Sequence, residues 1–227
     1  MIQLLNFFGN PNIAVYSYTN DNFCIIPRKI IKKIQELITE TLGCPVYKMH
    51  IADSRIIGIL VSGNSKGILL PNMVNKREIS QIRNIISELN LDMNVGIIPS
   101  KLTALGNNIL INDHAAIINP EYDVNITQII KDTCLIEEVE QQRIANSKLP
   151  GSIALVTNKG LLINPNAKIE ELEFLEDFFK VQSDIGTVNQ GVGFVGTSGI
   201  IANKEGAIIG RKTTGPELQR ITSILDI

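Results

Sequence analysis

The chain has 227 residues, 44% of them hydrophobic and only 5% aromatic, with 21 Lys and Arg against 23 Asp and Glu for a formal charge of −2. So even a balance excludes a whole-protein electrostatic grip on nucleic acid, and at this length roughly 70% of the unfolded surface can be buried without disulfides or metal. Cys24, Cys44 and Cys134 stand far apart, with no C-x-x-C pair and no paired-histidine spacing around His50 and His114, which excludes a zinc module and predicts a reducing compartment with no metal and no cofactor.

The first predicted element is a strand over Ile2 to Phe7. A hairpin follows that turns at Asn20 and ends on Ile25-Ile26-Pro27. A helix comes next, with Ile31, Ile34 and Ile38 on one face and Arg28, Lys29, Lys32 and Lys33 at its start, and then a strand over Cys44 to His50. The same order recurs with a turn at Asn64, the run Leu69-Leu70-Pro71, a helix bearing Ile79, Ile82, Ile86 and Leu89, and a strand over Asn94 to Pro99. It recurs at Asn112, with a shorter helix around Val124, Ile126, Ile129 and Ile130 and a strand over Leu135 to Gln141. At Asn158 it leads to an acidic helix with Leu172, Leu175 and Phe179 inward and a strand over Phe179 to Ile185. After Asn203 and Ile208-Ile209-Gly210 the last helix, with Leu218, Ile221 and Leu225 inward, has no strand after it. Asn75 with Glu78 and Thr214 with Glu217 have capping-box spacing, and Pro216 is placed at the first helical position.

The five turn asparagines are separated by 44, 48, 46 and 45 residues. Asn and Gly supply the positive-φ positions that tight hairpins need, which gives the repeat a mechanical reason. Six residues before each asparagine stands a small residue, Ala14, Gly58, Gly106, Ser152 or Thr197, as expected where five units crowd around an axis. The unpaired N-terminal strand then completes the fifth unit and removes an open sheet edge. The expectation is an α/β fold, a five-bladed α/β propeller with pseudo-fivefold symmetry closed by the N-terminal strand. It would form one domain over 1–227, with turns near 20, 64, 112, 158 and 203, and a monomer. No apolar run approaches 18 residues and Met1 to Phe8 is short for an export signal, so a cytoplasmic protein with no membrane and no DNA partner is expected.

Gly191-Val-Gly193-Phe-Val-Gly196 matches a dinucleotide fingerprint, but a strand rather than a helix is predicted after it, so no phosphate site is expected there. The informative departure lies in the third unit, where Asn107 and Asn108 replace apolar strand residues. A buried amide without partners costs about 1–3 kcal/mol, so these two are either satisfied locally or exposed for recognition.

Arg55-Ile-Ile-Gly58, Gly67-Ile-Leu-Leu-Pro71, Thr103-Ala-Leu-Gly-Asn107, Gly186-Thr-Val-Asn189 with Gly191, and Thr213-Thr-Gly-Pro-Glu-Leu218, in this order, closely resemble the translation initiation factor 6 family of ribosome anti-association factors. The resemblance runs from about Gly9 to the last helix and looks like the archaeal form without the eukaryotic tail. It implies a pentein-type fold and binding to the intersubunit face of the large ribosomal subunit. Contact would be chiefly with large-subunit ribosomal protein fourteen, near the sarcin-ricin loop of the rRNA. A factor bound there blocks the small subunit sterically and has a role in large-subunit maturation or recycling. Residue by residue, it implies ribosome-binding roles for Leu105, Gly106 and Asn107, and for Arg55, Gly58 and Asn189 nearby. Eukaryotic members carry an arginine where this chain has Ile59. The rival reading is a pentein-fold amidino-group enzyme. Those enzymes use a late cysteine with a histidine, and everything from Leu135 onward lacks both.

Overall fold

The computed structural model describes residues 1–227, and its strands sort into five three-stranded sheets. Strand β1 (Ile2–Leu5) opens the chain. The first unit runs β2 (Tyr18–Thr19), β3 (Cys24–Pro27), α1 (Lys32–Leu42) and β4 (Val46–Met49). The second begins with a one-turn helix, α2 (Ile57–Leu60), followed by β5 (Ser62–Gly63), β6 (Gly67–Pro71), α3 (Lys76–Glu88) and β7 (Asn94–Ile98). The third is α4 (Leu105–Asn108), β8 (Ile109–Ile111), β9 (Ala115–Ile118), α5 (Val124–Cys134) and β10 (Glu138–Gln141). The fourth is α6 (Pro150–Ile153), β11 (Ala154–Val156), β12 (Gly160–Ile163), α7 (Ile169–Phe179) and β13 (Gln182–Ile185). The fifth is β14 (Ile200–Ala202), β15 (Ala207–Gly210) and α8 (Gly215–Leu225).

In each sheet the middle strand is antiparallel to its hairpin partner and parallel to an outer strand. Leu69 of β6, for example, lies opposite Ser62 on one side and Gly96 on the other. A parallel neighbour requires a crossover, and the long helix supplies it. The outer strand of the fifth sheet is β1, running from Ile2 opposite Ala207 to Leu5 opposite Gly210. The N-terminal strand therefore closes the five-bladed α/β propeller, as the repeat predicts. Apolar side chains gather in five clusters that cross unit boundaries. Tyr18, Ile25 and Met49 of the first unit pack with Ile68, Leu70 and Ile82 of the second, and Leu5 and Ile208 pack with Ile26 and Ile38. No unit buries its apolar faces alone, which makes the ring interdependent.

At the axis the one-turn segments interlock. A Cβ added to Gly58 would overlap the carbonyl oxygen of Ala14, and one on Gly106 that of Gly58. The same holds for Gly151 against Gly106, and for Gly196 against Gly151 and Ala154. Where the fifth unit meets the first, the Ala14 amide donates to the Ser198 carbonyl at 2.9 Å, and a methyl is tolerated there. The small residues of the fourth and fifth units are thus Gly151 and Gly196, one position earlier than the predicted Ser152 and Thr197.

The turns also correct the sequence reading. None of the five asparagines has positive φ. Four of them instead fold the side chain into the turn: Asn64 Oδ1 accepts from Lys66 N at 3.0 Å and Gly67 N at 2.9 Å, and Asn20, Asn112 and Asn203 do likewise. In the fourth unit Thr157, not Asn158, holds this place, its Oγ1 accepting from Lys159 N and Gly160 N. The amides link the units in a chain, Asn20 Nδ2 to Asn64 O at 3.0 Å, Asn64 to Asn112 O at 3.2 Å, Asn112 to Thr157 O at 3.3 Å and Asn203 to Asn20 O at 3.4 Å. Thr157 has no amide to pass on, so the chain breaks between the fourth and fifth units.

Three boundary predictions also shift. Helix α5 has 11 residues, as many as α1, α7 and α8, so it is not shortened. The return strands start at Val46, Glu138 and Gln182, later than predicted, because left-handed residues Gly43, Leu135 and Lys180 end the helices and buried Cys44, Ile136 and Val181 fill the gap. Pro216 is the second helical residue, behind Gly215. No helix is long and apolar enough to cross a membrane.

Candidate functional site

The propeller has two unlike ends. At one lie the hairpin turns, around a cavity of about 50 Å³ lined by Asn20, Asn64, Asn112, Asn203 and Thr157. Inward from them the inner strands line a cavity of about 120 Å³. At the other end, the loop face, the middle and outer strands run out into loops and the axial one-turn segments begin.

Four outer strands emerge here into tight turns, bridged between Phe7 and Asn10, Ile51 and Ser54, Ile144 and Ser147, and Val188 and Val192. Their central residues are left-handed: Phe8 and Gly9, Ala52 and Asp53, Ala145 and Asn146, and Asn189, Gln190 and Gly191. The residue before each axial segment is Asn12, Ile56, Ala104, Leu149 or Phe194. Of these Ile56, Leu149 and Phe194 are 36%, 37% and 57% exposed. These apolar side chains stand around the rotation axis with nothing folded over them.

Charge is also sorted between the ends. The loops reaching the loop face carry nine cations, Arg28, Lys29, Arg55, Lys101, Arg143, Lys148, Lys168, Arg211 and Lys212, against three acids, Asp53, Glu121 and Asp123. The hairpin turns at the other end hold three of each sign, Lys66, Lys159 and Lys204 with Asp21, Asp113 and Glu205. Glu78, Glu171 and Glu217, whose carboxylates reach the turns of this end from the helix starts, bring the acids to six, and the cations still outnumber them, an excess that a net charge of −2 does not reveal.

The residues singled out from the sequence divide sharply. Arg55 is exposed, its guanidinium carbon 5.1 Å from the centroid of the Phe8 ring and 5.9 Å from that of Tyr16. The stack holds the guanidinium in place while leaving its edge free. Leu105 is fully buried, and Gly58 and Gly106 are spent on axial packing. Asn189 is buried and left-handed, its Nδ2 donating to Pro11 O and Asn12 Oδ1, both at 3.2 Å, so it joins the fifth unit to the first.

The paired amides of α4 separate in the same way. Asn108 is satisfied: its Nδ2 donates to Ala104 O at 2.7 Å and its Oδ1 accepts from Asn119 Nδ2 at 2.6 Å. Asn107 is half-buried and its Oδ1, removed from solvent, has no partner. Beside α4, a cleft of about 550 Å³ is lined by Lys101, Leu102, Ala104, Lys148 and Leu149 and crossed by the Lys148–Glu121 ion pair. The axial apolar ring went unpredicted. Phe194 lay inside the Gly191 to Gly196 motif, and that segment forms no helix.

The family model described as "eIF-6 family" matches residues 2–224. The chain belongs to the eIF-6 family. It is 42% identical over 224 residues to "Translation initiation factor 6" of Saccharolobus islandicus, covering 99% of this chain and 98% of that one. Identity to the protein of the same name from Pyrococcus horikoshii is 42% with the same coverage, and to that of Methanocaldococcus jannaschii 41%, covering 100% and 99%. Among solved structures this eIF-6 family chain is similar to a dimethylarginine dimethylaminohydrolase, at 11% identity, TM-score 0.47 and coverage of 78% and 70%. It is also similar to the N-terminal domain of the arginine dihydrolase ArgZ, at 14% identity, TM-score 0.45 and coverage of 76% and 67%. As a member of a translation initiation factor family, it is placed in protein biosynthesis.

Proposed function

We propose that this protein binds the large ribosomal subunit through its loop face and, by occupying the intersubunit surface, keeps the small subunit from joining. The observation that carries the reading is full-length membership of a family whose archaeal relatives are named translation initiation factor 6. The loop face suits it, with exposed apolar residues at the axis, a cationic surround and an amide oxygen lacking its donor. Asn107 and Arg55 are the direct contacts, Leu105, Gly58 and Gly106 hold the axial segments that carry them, and Asn189 shapes the adjoining loop. The resemblance implies large-subunit ribosomal protein fourteen as the partner, with rRNA of the sarcin-ricin region beside it, in the cytoplasm. Steric blocking requires no chemistry.

The chain offers little to the rival enzymatic reading. All three cysteines are buried; desolvation pushes the Cys44 thiol up to about 11 and that of Cys134 to about 12, and raises Cys24 as well, away from the thiolate a nucleophile needs. The test is sedimentation. The protein is expected to travel with isolated archaeal large subunits and to lower the yield of joined ribosomes when small subunits are added. Free protein at the top of the gradient with normal joining refutes the proposal.

A further inference from the structure

The left-handed turns of the loop face present a physical problem. Ala52, Asp53, Ala145 and Asn146 have φ between 44 and 61°, a conformation that costs a non-glycine residue on the order of 1 kcal/mol or more. Something must over-determine them, and in three units it is a glutamate from the next long helix. Glu78, only 3% exposed, accepts from Ala52 N at Oε2 and Asp53 N at Oε1, both at 2.9 Å, and from its N-cap amide, Asn75 N, at 3.2 Å. Glu171 accepts from Ala145 N at 2.8 Å and from Lys168 N at 2.9 Å. Glu217 accepts from Gly191 N at 2.9 Å, Gln190 N at 3.3 Å and Thr187 Oγ1 at 2.8 Å, while Thr214 N and its hydroxyl bind the same carboxylate at 2.7 and 2.8 Å.

In each case the carboxylate at the third helical position does two things. It caps its own helix, the role its spacing announces, and it fixes a turn from the preceding strand that no local pattern connects to it. The residues following each held turn are those displayed on the face: Arg55 and Ile56 after Ala52–Asp53, Lys148 and Leu149 after Ala145–Asn146, and Phe194 after Asn189–Gly191. Helices α1 and α5 carry isoleucine, Ile34 and Ile126, at the equivalent position, so the Phe8 turn and the 99–102 loop have no such clamp.

We propose that Glu78, Glu171 and Glu217 are positioning residues for the ribosomal contact, each pre-setting one turn so that the displayed residue behind it meets the partner without being ordered at the moment of binding. The inference rests on the loop face being the docking face. It assigns the three carboxylates no contact with the subunit.

Glu217, half-buried where Glu78 is buried and holding both Thr214 and Gly191, is the one to test. Glu217→Ala removes both the cap and the clamp. Ile221→Val, one helical turn beyond Glu217 at a fully buried position that makes no hydrogen bond to the 187–191 turn, serves as the control for lost stability. Both variants are first confirmed folded by urea titration, then measured for affinity to isolated large subunits, with amide hydrogen exchange read at Gln190 and Gly191. Glu217→Ala is expected to bind about tenfold more weakly, the cost of ordering on the order of one residue on binding, with faster exchange at those two amides. Ile221→Val is expected to stay within about twofold of wild type with exchange there unchanged. Binding by Glu217→Ala within about twofold of wild type, or an equal loss in Ile221→Val, overturns the inference while leaving the ribosomal reading intact. Wild-type protein that fails to bind large subunits overturns both.

Discussion

Asn107 and Asn108 are adjacent, chemically identical, and expected to respond in opposite ways to the same substitution. Asn108→Ala deletes two bonds, the donation to Ala104 O at 2.7 Å and the acceptance from Asn119 Nδ2 at 2.6 Å. Asn119 is 2% exposed, so its amide would be stranded without water. A lost hydrogen bond of about 1 kcal/mol plus a stranded buried donor of about 1–3 kcal/mol gives a loss of about 3 kcal/mol. At this chain length that is a fall of roughly 6–12 °C in Tm. Asn107→Ala deletes an acceptor that is already desolvated and unpartnered, so the native state loses no bond from that oxygen. Its stability is expected to stay within about 1 kcal/mol of wild type. If Asn107 makes the proposed ribosomal contact, large-subunit affinity should instead fall by at least about tenfold. Urea unfolding of the two variants beside sedimentation with large subunits reads both quantities. A stability loss above about 2 kcal/mol for Asn107→Ala, with binding intact, would assign its amide to the core and refute the reasoning.

Three further outcomes are expected from purified protein. Gly106→Ala drives a methyl into the Gly58 carbonyl and should cost about 3 kcal/mol in urea titration, whereas Gly215→Ala, with open space around it, should leave stability unchanged or raised by about 0.5 kcal/mol. Thr157→Asn should restore the missing amide between the fourth and fifth units and add about 1 kcal/mol, read as a higher urea midpoint; a lower one sinks that account of the ring. Partial burial pushes the Glu217 carboxyl up, but donation from Thr214 N, Gly191 N and the Thr187 and Thr214 hydroxyls outweighs it and holds the group at about 2. A carboxyl depressed in the folded state stabilises above its unfolded value near 4.5 and loses that contribution as pH falls toward 2. Stability should therefore decline over that window, and less steeply in Glu217→Ala.

Much of the architecture was legible in the residues themselves. Ile82, Ile86, Ile221 and Leu225 announced helix faces by spacing, and an orphan strand at Ile2 matched a fifth unit short of one. Such features lie within one element or recur at a fixed interval, and both kinds of signal survive in a linear string. Membership of the eIF-6 family was legible for the same reason, being carried by short ordered motifs.

The tertiary structure alone decided what depended on partners distant in the chain. The turn asparagines were expected for left-handed backbone, yet Asn203 proves to serve Asn20 and Leu42 across the closing seam, and the left-handed residues lie in the loop-face turns and at the helix C-termini instead. Glu217 could be read as a helix cap but not as the clamp on Gly191, 26 residues away. Asn107 and Asn108 are indistinguishable as letters, and only the presence of Asn119 beside one of them separates an amide oxygen with a partner from one without. A hydrogen bond is decided by distance in space, and the closing of five blades into a ring sets those distances.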